Sequence, residues 1–450
     1  MPAENSSRLL WRDTWTVFGV VTLLYAVASM VNHLRFGTSL DLAIFSQGVG
    51  QFAGVNPDGV AMKTPGQNIF GDHFHPIILL TVPLYWLWPH PASLLIAQAV
   101  ALGATSAIVH RTIAEESNNR RESLWFAAAF GISVAVAAAA MYDFHELALG
   151  APFAALFCRY YLQRRTAPAV LAALPLLLVK EDMAVFLLPI ALLVFLKLNK
   201  LAGVLLGVGS VAWGALTTMV IIPALNPDGR FFYTPGGEGV SGVGTQLVPA
   251  LLFPAFAVWT TLLLVASMNP LVVRSWLFLP ALSSILFRAI LPNWRYWVPW
   301  YHYSLLPMVF IAFAAVELWR GEPTWVPKLR KALCVLAAIA GPVTITLALT
   351  VPNRVDAANR VIDEVPAGAR VAAPSDLVPH LVDHTVTSLV RPPKLVDGNF
   401  KPMPDLQWVI IDERTRTFGG SDWVAQFQRT QLGDFHPVLA DEGYVLYRRR

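Results

Sequence analysis

Long apolar runs separated by short charged or proline-rich connectors fill the first 350 residues. They fall at roughly 14–31, 92–113, 124–142, 146–163, 167–179, 183–197, 201–223, 247–267, 271–290, 301–319 and 331–350. Most have the length and polarity of helices that cross a bilayer. Two do not. A helix rises about 1.5 Å per residue and needs about 20 residues to cross a core of about 30 Å. Segments 167–179 and 183–197 are shorter than this, and Lys180, Glu181 and Asp182 separate them. The pattern allows two spans there, or a broken pair that stops partway with the charged triplet facing a protein-lined cavity. Segment 77–88 is also too short to cross. Pro83 interrupts it and Pro89 and Pro91 follow, so it reads as an interfacial element. Residues 31–91 then form a first outer loop far longer than a connector needs.

After Val351 the texture changes. ARVAAP, LQWVIID and GYVLYRRR read as strands, and SDLVPHLVDH and DWVAQFQRTQL as short helices. The expected fold class is therefore mainly α: a polytopic helical membrane protein of about eleven spans over 1–350, with a small outer C-terminal α/β domain over 351–450. That domain carries no glycine-rich nucleotide fingerprint, so no cofactor is implied.

Composition agrees with the pattern. The chain is 55% hydrophobic and 14% charged, where soluble domains carry about 25% charged residues. A net charge of +4 invites a nucleic-acid reading. The basic residues nevertheless sit between apolar segments, where they set topology. Arg8 and Arg12, Arg111 to Arg121, Arg159 to Arg165, Lys197 and Lys200, Arg274, and Arg320 to Lys331 all fall on one side of an eleven-span layout. That side is cytoplasmic, with the N-terminus inside and the C-terminal domain outside. The apolar N-terminal stretch lacks a small-residue cleavage site and reads as a retained first span. Cys158 and Cys334 form no disulfide or metal pattern.

The same layout gathers ionisable residues at the outer face: Asp41, Asp72, His73, His75, Asp143, His145, Glu146, Lys180, Glu181, Asp182, Arg288, Arg295 and His302. Such groups at a membrane edge are costly and usually functional. Asp41, in TSLDLAIFSQG, is a cap of a short surface helix or a reactive carboxylate. Asp72, His73 and His75, in GDHFHP, suit substrate or phosphate contact, a solvated rim, or a metal ion. Oxygen-rich sets favour Mg²⁺ or Mn²⁺, and imidazoles favour zinc or iron. Asp143, His145 and Glu146 crowd a turn too short to need three ionisable groups. Lys180 can pair with its acidic neighbours or present its ammonium to a phosphate. In NWRYWVPWYHY the aromatic residues suit an interfacial belt, while Arg295 and His302 suit a phosphate grip.

DLAIFSQ, GDHFHPIILLTVPLY, YDFHELALGAPF, KED and WRYWVPWYHYSLLPMVF together resemble a family of bacterial and archaeal multi-pass predicted membrane proteins, known as a domain of unknown function. The likeness covers most of the chain. That family is in turn similar to the C-type glycosyltransferases (GT-C-like), which take a sugar from a polyprenyl-phosphate carrier at the outer leaflet. The resemblance implies a membrane glycosyltransferase with a cell-envelope glycan or glycolipid as acceptor and no nucleic-acid partner. It implies that Asp41, early in the first outer loop, is the catalytic carboxylate. Its neighbour is Leu42, whereas the commoner motif pairs two acidic residues; this departure argues against a metal-dependent version. Lys180, Arg295 and His302, then His73 and His75, become the expected phosphate partners. Asp72, Asp143, His145, Glu181 and Asp182 become further substrate contacts. A lipid or glycolipid transporter and a non-enzymatic envelope assembly protein are the competing expectations.

Overall fold

The computed structural model describes residues 2–117, 119–233, 268–269, 271–289, 296, 298, 301–319, 326–350, 354–391, 403–414 and 421–450. Each apolar segment in this range is helical over most of its length; segment 247–267 and Arg295 lie outside the described residues. Helix α1 (Pro2–Leu34) turns Trp15, Val20, Leu23 and Val27 outward and buries Val17, Val21 and Tyr25 against its neighbours. An apolar outer face of this kind suits lipid. Helix α4 (Pro91–Ser117) packs along α1, and Gly103 lets the two backbones approach at Phe18. Helices α5 (Arg120–Gly131) and α6 (Val134–Met141) form one bent rod, with a 42° angle at Ile132 and Ser133. Helix α7 (Glu146–Leu162) follows the tight turn 142–145.

Helix α8 (Thr166–Ala173) ends in the 3-10 turn Leu174–Leu178. After Lys180, Glu181 and Asp182 the chain resumes as α9 (Met183–Lys197). Helix α10 (Lys200–Leu216) continues through the π turn Thr217–Ile221 into Ile222–Leu225. Three further helices, Phe278–Ala289, Leu305–Leu318 and Val326–Leu349, complete the bundle. Among the described residues, Arg8–Leu34, Pro91–Ser117 and Lys200–Leu225 are each long and apolar enough to cross a membrane, and the α5–α6 pair makes a fourth if it counts as one span. The other apolar helices are shorter.

The first loop is ordered. It holds α2 (Leu40–Ala53), the 3-10 turns Ile69–Gly71 and Pro76–Thr81, and the short helix α3 (Val82–Leu87). Leu80, Trp86 and Leu87 face outward from this last element, which is too short to cross.

The C-terminal part begins with an amphipathic helix, Val355–Asp363, that buries Ala357, Ala358, Val361 and Ile362. Strands β1 (Arg370–Ala373), β2 (Val386–Leu389), β3 (Trp408–Asp412), β4 (Phe435–Asp441) and β5 (Tyr444–Arg449) form one sheet in the order β2-β1-β3-β5-β4. β1 runs parallel to β2 and β3, whereas β5 is antiparallel to β3 and β4. Two of these strands escape the sequence pattern, and both are edges. β2 has only four residues, and β4 carries Pro437 at a register shift, as edge strands tolerate. The helix expected over 375–384 is only the 3-10 turn Val378–His380, because Pro379 removes a backbone donor.

This sheet packs against the ends of α1 and α4 and against the first loop. The His33 and His380 rings stack at 4.2 Å and 6°. His90 Nε2 lies 3.7 Å from Asp383 Oδ2. Gln47 Nε2 donates to the Thr387 carbonyl at 2.9 Å, and the Leu40 amide donates to Ser375 Oγ at 3.3 Å.

One close approach fixes the bend in the α5–α6 rod. Gly341 of the helix Val326–Leu349 lies against the Ile132 carbonyl, so a Cβ there would overlap backbone oxygen. We expect Gly341→Ala to cost about 1–3 kcal/mol through overpacking, read as a lower unfolding midpoint of the purified protein. An unchanged midpoint would mean that this helix does not hold the bend.

Candidate functional site

The turn 142–145 organises the site. Asp143 adopts a left-handed φ of 49°, which Asp tolerates better than most residues. The conformation aims its carboxylate at the start of α2. Oδ1 accepts from the Ser39 amide at 2.7 Å, while Oδ2 accepts from Ser39 Oγ at 2.7 Å and the Leu42 amide at 3.4 Å. Ser39 stands at the N-cap position without making a side-chain cap bond of its own. A residue about a hundred positions downstream thus satisfies the orphan amides of this helix. Gln98, fully buried in α4, braces the same turn. Its Nε2 donates to the Ala139 and Asp143 carbonyls at 3.2 and 2.7 Å, and its Oε1 accepts from the His145 amide at 3.0 Å.

The cap places Asp41, in the first turn of α2, beside His145: Oδ2 and Nε2 are 3.4 Å apart. Asp41 keeps 34% of its side chain exposed, whereas His145 keeps 9%. Burial pushes the Asp41 carboxyl up, but the His145 hydrogen bond and charge, with Lys63 and Lys180 farther off, hold it below the usual carboxylate range. His145 is raised in return, since the Asp41 bond and the nearby carboxylates outweigh its own desolvation. Asp143 is pushed up to about 6, by burial first and by the Asp41 charge second, against the lowering effect of the Ser39 bonds.

From Asp41 the contacts lead inward. The His145 ring stacks on His302 at 3.5 Å, and Tyr142 stacks against both. His302 opens the 3-10 turn before helix Leu305–Leu318 and lines a cavity of about 120 Å³. Lys180, Arg288, Glu146, Asp182, Tyr296 and Tyr303 share its walls, and Leu147, Met183, Phe186 and Phe287 supply apolar surface. Arg288 is buried and donates to Ser304 Oγ at 3.4 Å. Its Nε, Glu146 Oε2, Asp182 Oδ1 and His302 Nδ1 are buried without a hydrogen-bond partner among the described residues. Two cations, two carboxylates and several unsatisfied polar atoms around a small space make a recess suited to a polar, hydrogen-bonding group, with Lys180 and Arg288 able to meet an anionic part of it.

GDHFHP forms the adjacent wall. Asp72 pairs with Lys63 at 3.0 Å and accepts from the Tyr233 hydroxyl at 3.1 Å, and Tyr233 stacks on His73 at 4.2 Å. His73 Nδ1 lies 2.7 Å from Glu181 Oε1, and the Phe74 amide donates to Glu181 Oε2 at 3.0 Å. Both Glu181 oxygens therefore bind the loop, tying the break before α9 to the segment between α1 and α4. His75 is buried beside Phe45, with neither ring nitrogen partnered among the described residues. Burial lowers it to about 4, so the ring is neutral near pH 7. Among the described residues no group of three or more His, Cys, Asp or Glu side chains is arranged to hold a metal ion.

The structure thus brings Asp41, Asp143, His145 and His302 into one chain of contacts that reaches Lys180 and Asp182 at the cavity. It places Asp72, His73, His75 and Glu181 in the neighbouring wall. Gln98 and Lys63 went unnoticed in the sequence, although Gln98 is the polar residue within SLLIAQAVAL and carried a usable signal.

Residues 32–446 match the family described as "Predicted membrane protein (DUF2079)". The chain belongs to this family. The DUF2079 fold is similar to that of ArnT from Cupriavidus metallidurans. The structure of that protein bound to undecaprenyl phosphate aligns with a TM-score of 0.53 at 12% identity, over 96% of this chain and 97% of the other. Its apo state gives 0.54 at 13% identity, over 95% and 97%. At such identities the likeness is one of fold. No curated protein matches this sequence.

The Asp143 cap has a pH signature. An aspartate that titrates near 3.8 when unfolded and about 6 when folded takes up a proton on folding between those values. Its contribution therefore falls as pH rises across that window. Asp143→Asn should flatten this part of the stability–pH profile, measured by denaturation of the purified protein at pH 4 to 6. Parallel profiles for variant and wild type would contradict the assignment.

Proposed function

We propose that this chain is a membrane glycosyltransferase that moves a sugar from a polyprenyl-phosphate donor to a cell-envelope glycan or glycolipid acceptor at the outer face of the membrane. The observation that carries the reading is the continuous path from a partly exposed carboxylate, Asp41, through His145 and His302 to a recess holding Lys180 and Arg288. The ArnT-like fold supports the reaction class, and ArnT binds undecaprenyl phosphate. The proposal keeps the eleven-span layout, with the N-terminus cytoplasmic, residues 1–350 as the membrane domain and 351–450 as an outer domain.

In the proposed reaction an acceptor hydroxyl oxygen attacks the anomeric carbon while the bond from that carbon to the phosphate oxygen breaks. The bonding pair leaves with the lipid phosphate, and the acceptor proton passes to the Asp41 carboxylate. His145 orients that carboxylate. A depressed Asp41 is ionised at neutral pH and ready to accept a proton. Lys180 and Arg288 stabilise the extra charge on the leaving phosphate, where a low-dielectric wall strengthens their pull. Arg295 is retained as a third phosphate contact, and Asp182 and Glu146 are placed to bind sugar hydroxyls. Asp143 and Glu181 act through positioning, since their oxygens hold α2 and the GDHFHP loop.

A transporter is the second reading, because α8 with its 3-10 turn and α9 are short apolar helices separated by a charged triplet. The bond from Glu181 to His73 clamps that triplet to the outer loop, which weighs against alternating access.

The purified protein in liposomes, given a polyprenyl-phosphate sugar and an acceptor glycolipid, should produce the glycosylated acceptor. Asp41→Asn should lower kcat by about 10² to 10⁴, the usual contribution of a general base. Lys180→Gln should slow the same step. Unchanged turnover in Asp41→Asn would remove its role as base, and donor crossing the bilayer without sugar transfer would favour transport.

A further inference from the structure

A second cavity, of about 500 Å³, lies at the far end of the bundle from the candidate site. Two helical elements establish the distance. The α6–α5 rod runs from the turn 142–145 back to Asn119, and the helix Leu305–Leu318 runs from His302 to Trp319. Asn119 and Trp319, at those remote ends, both line this cavity. The first turns of helix Val326–Leu349 close it.

Its chemistry divides into a cationic rim and an apolar flank. Arg121 and Lys331 are exposed at the rim. Arg330 is buried between them, with its guanidinium 3.4 Å from the Trp319 ring centroid and 3.9 Å from the Glu122 carboxylate. Among the described residues of this lining, three cations stand with one carboxylate, Glu122. Neighbouring Arg120 is committed to Asp13 and adds nothing to this set. Below the rim Trp125 and Val335 present exposed apolar surface, which continues along the same helix through Leu336, Ile339 and Val343. A soluble anion would use the rim alone. An anionic headgroup carrying acyl chains uses both the rim and the track beneath it. Basic recesses between membrane helices, edged by tryptophan, match the headgroup level of a bilayer.

We propose that this cavity binds the headgroup of an anionic phospholipid from the leaflet opposite the candidate active site. Its acyl chains lie along the outward face of helix Val326–Leu349. The guanidinium of Arg330, held flat on Trp319, gives the phosphate a fixed partner. Arg121 and Lys331 close over it from either side. The site is independent of the proposed transferase chemistry.

The test uses the full-length protein purified in detergent, with native mass spectrometry counting retained lipid. Wild type should retain phosphatidylglycerol in preference to phosphatidylcholine. The double variant Arg121→Gln/Lys331→Gln changes two exposed side chains and should keep its fold, checked by an unchanged thermal midpoint. It should retain phosphatidylglycerol about tenfold less, since each basic group near a headgroup contributes appreciably to binding, while phosphatidylcholine stays unchanged. Equal phosphatidylglycerol retention by wild type and variant would overturn the proposal, as would equal retention of the two lipids by wild type. Inorganic phosphate competing as well as short-chain phosphatidylglycerol would assign the recess to a free anion and overturn the lipid assignment.

Discussion

The capping of α2 by Asp143 is the constraint on which the site depends. A helix beginning at a protein surface leaves four amides without intrahelical partners, and each buried unsatisfied one costs about 1–3 kcal/mol. Here the partner comes from the tight turn between α6 and α7. The bond therefore ties a membrane hairpin to a loop helix as it completes that helix. It also fixes the distance from Asp41 to His145, because His145 is two residues from the capping group. Gln98 then locks the turn to a third element, α4, by three bonds from one side chain. Three separate parts of the chain thus converge on a few ångströms of backbone.

Electrostatics follow from that geometry. Asp41 and Asp143 stand close enough for each to feel the other, and the environment separates them. Asp41 has a histidine partner and distant lysines, which favour its charge. Asp143 is enclosed, and part of its hydrogen-bonding capacity is already used by Ser39 and Leu42. Two carboxylates of one type thereby take different protonation ranges, as catalytic sites often require. The stacked imidazoles of His145 and His302 carry the contacts inward to a recess where Lys180 and Arg288 stand with Glu146 and Asp182, two cations beside two carboxylates.

Much of this was legible in the sequence as islands of polarity. DLAIFSQ, GDHFHP, YDFHE and KED stood out because each interrupts apolar chain, and the helices fall where the hydropathy pattern puts them. What the sequence withheld was pairing. Asp143 read as one of three polar groups in a turn; its φ and its reach to Ser39 are tertiary facts. The Glu181–His73 bond joins residues 108 positions apart, and no local period encodes it. Arg288 read only as one more ionisable residue at a helix end, whereas it is buried at the cavity. In the C-terminal part, strands β1, β3 and β5 were visible by alternation. β2 and β4 were not: β2 is four residues long and buries the polar pair Thr387 and Ser388, while β4 is mostly exposed and carries Pro437.

The attachment of the sheet to α2 has a mechanical consequence. Leu40, at the start of that helix, donates to Ser375, and Gln47, in its middle, spans the Thr387 carbonyl and the Met62 amide. A segment fastened at its origin and midpoint cannot pivot independently of the sheet. The carboxylate it carries is therefore a stationary feature of the surface beside the sheet, and accommodation of an incoming molecule falls to other parts of the chain. In energetic terms, the ordering entropy of Asp41 is spent during folding, and encounter with a ligand does not have to supply it.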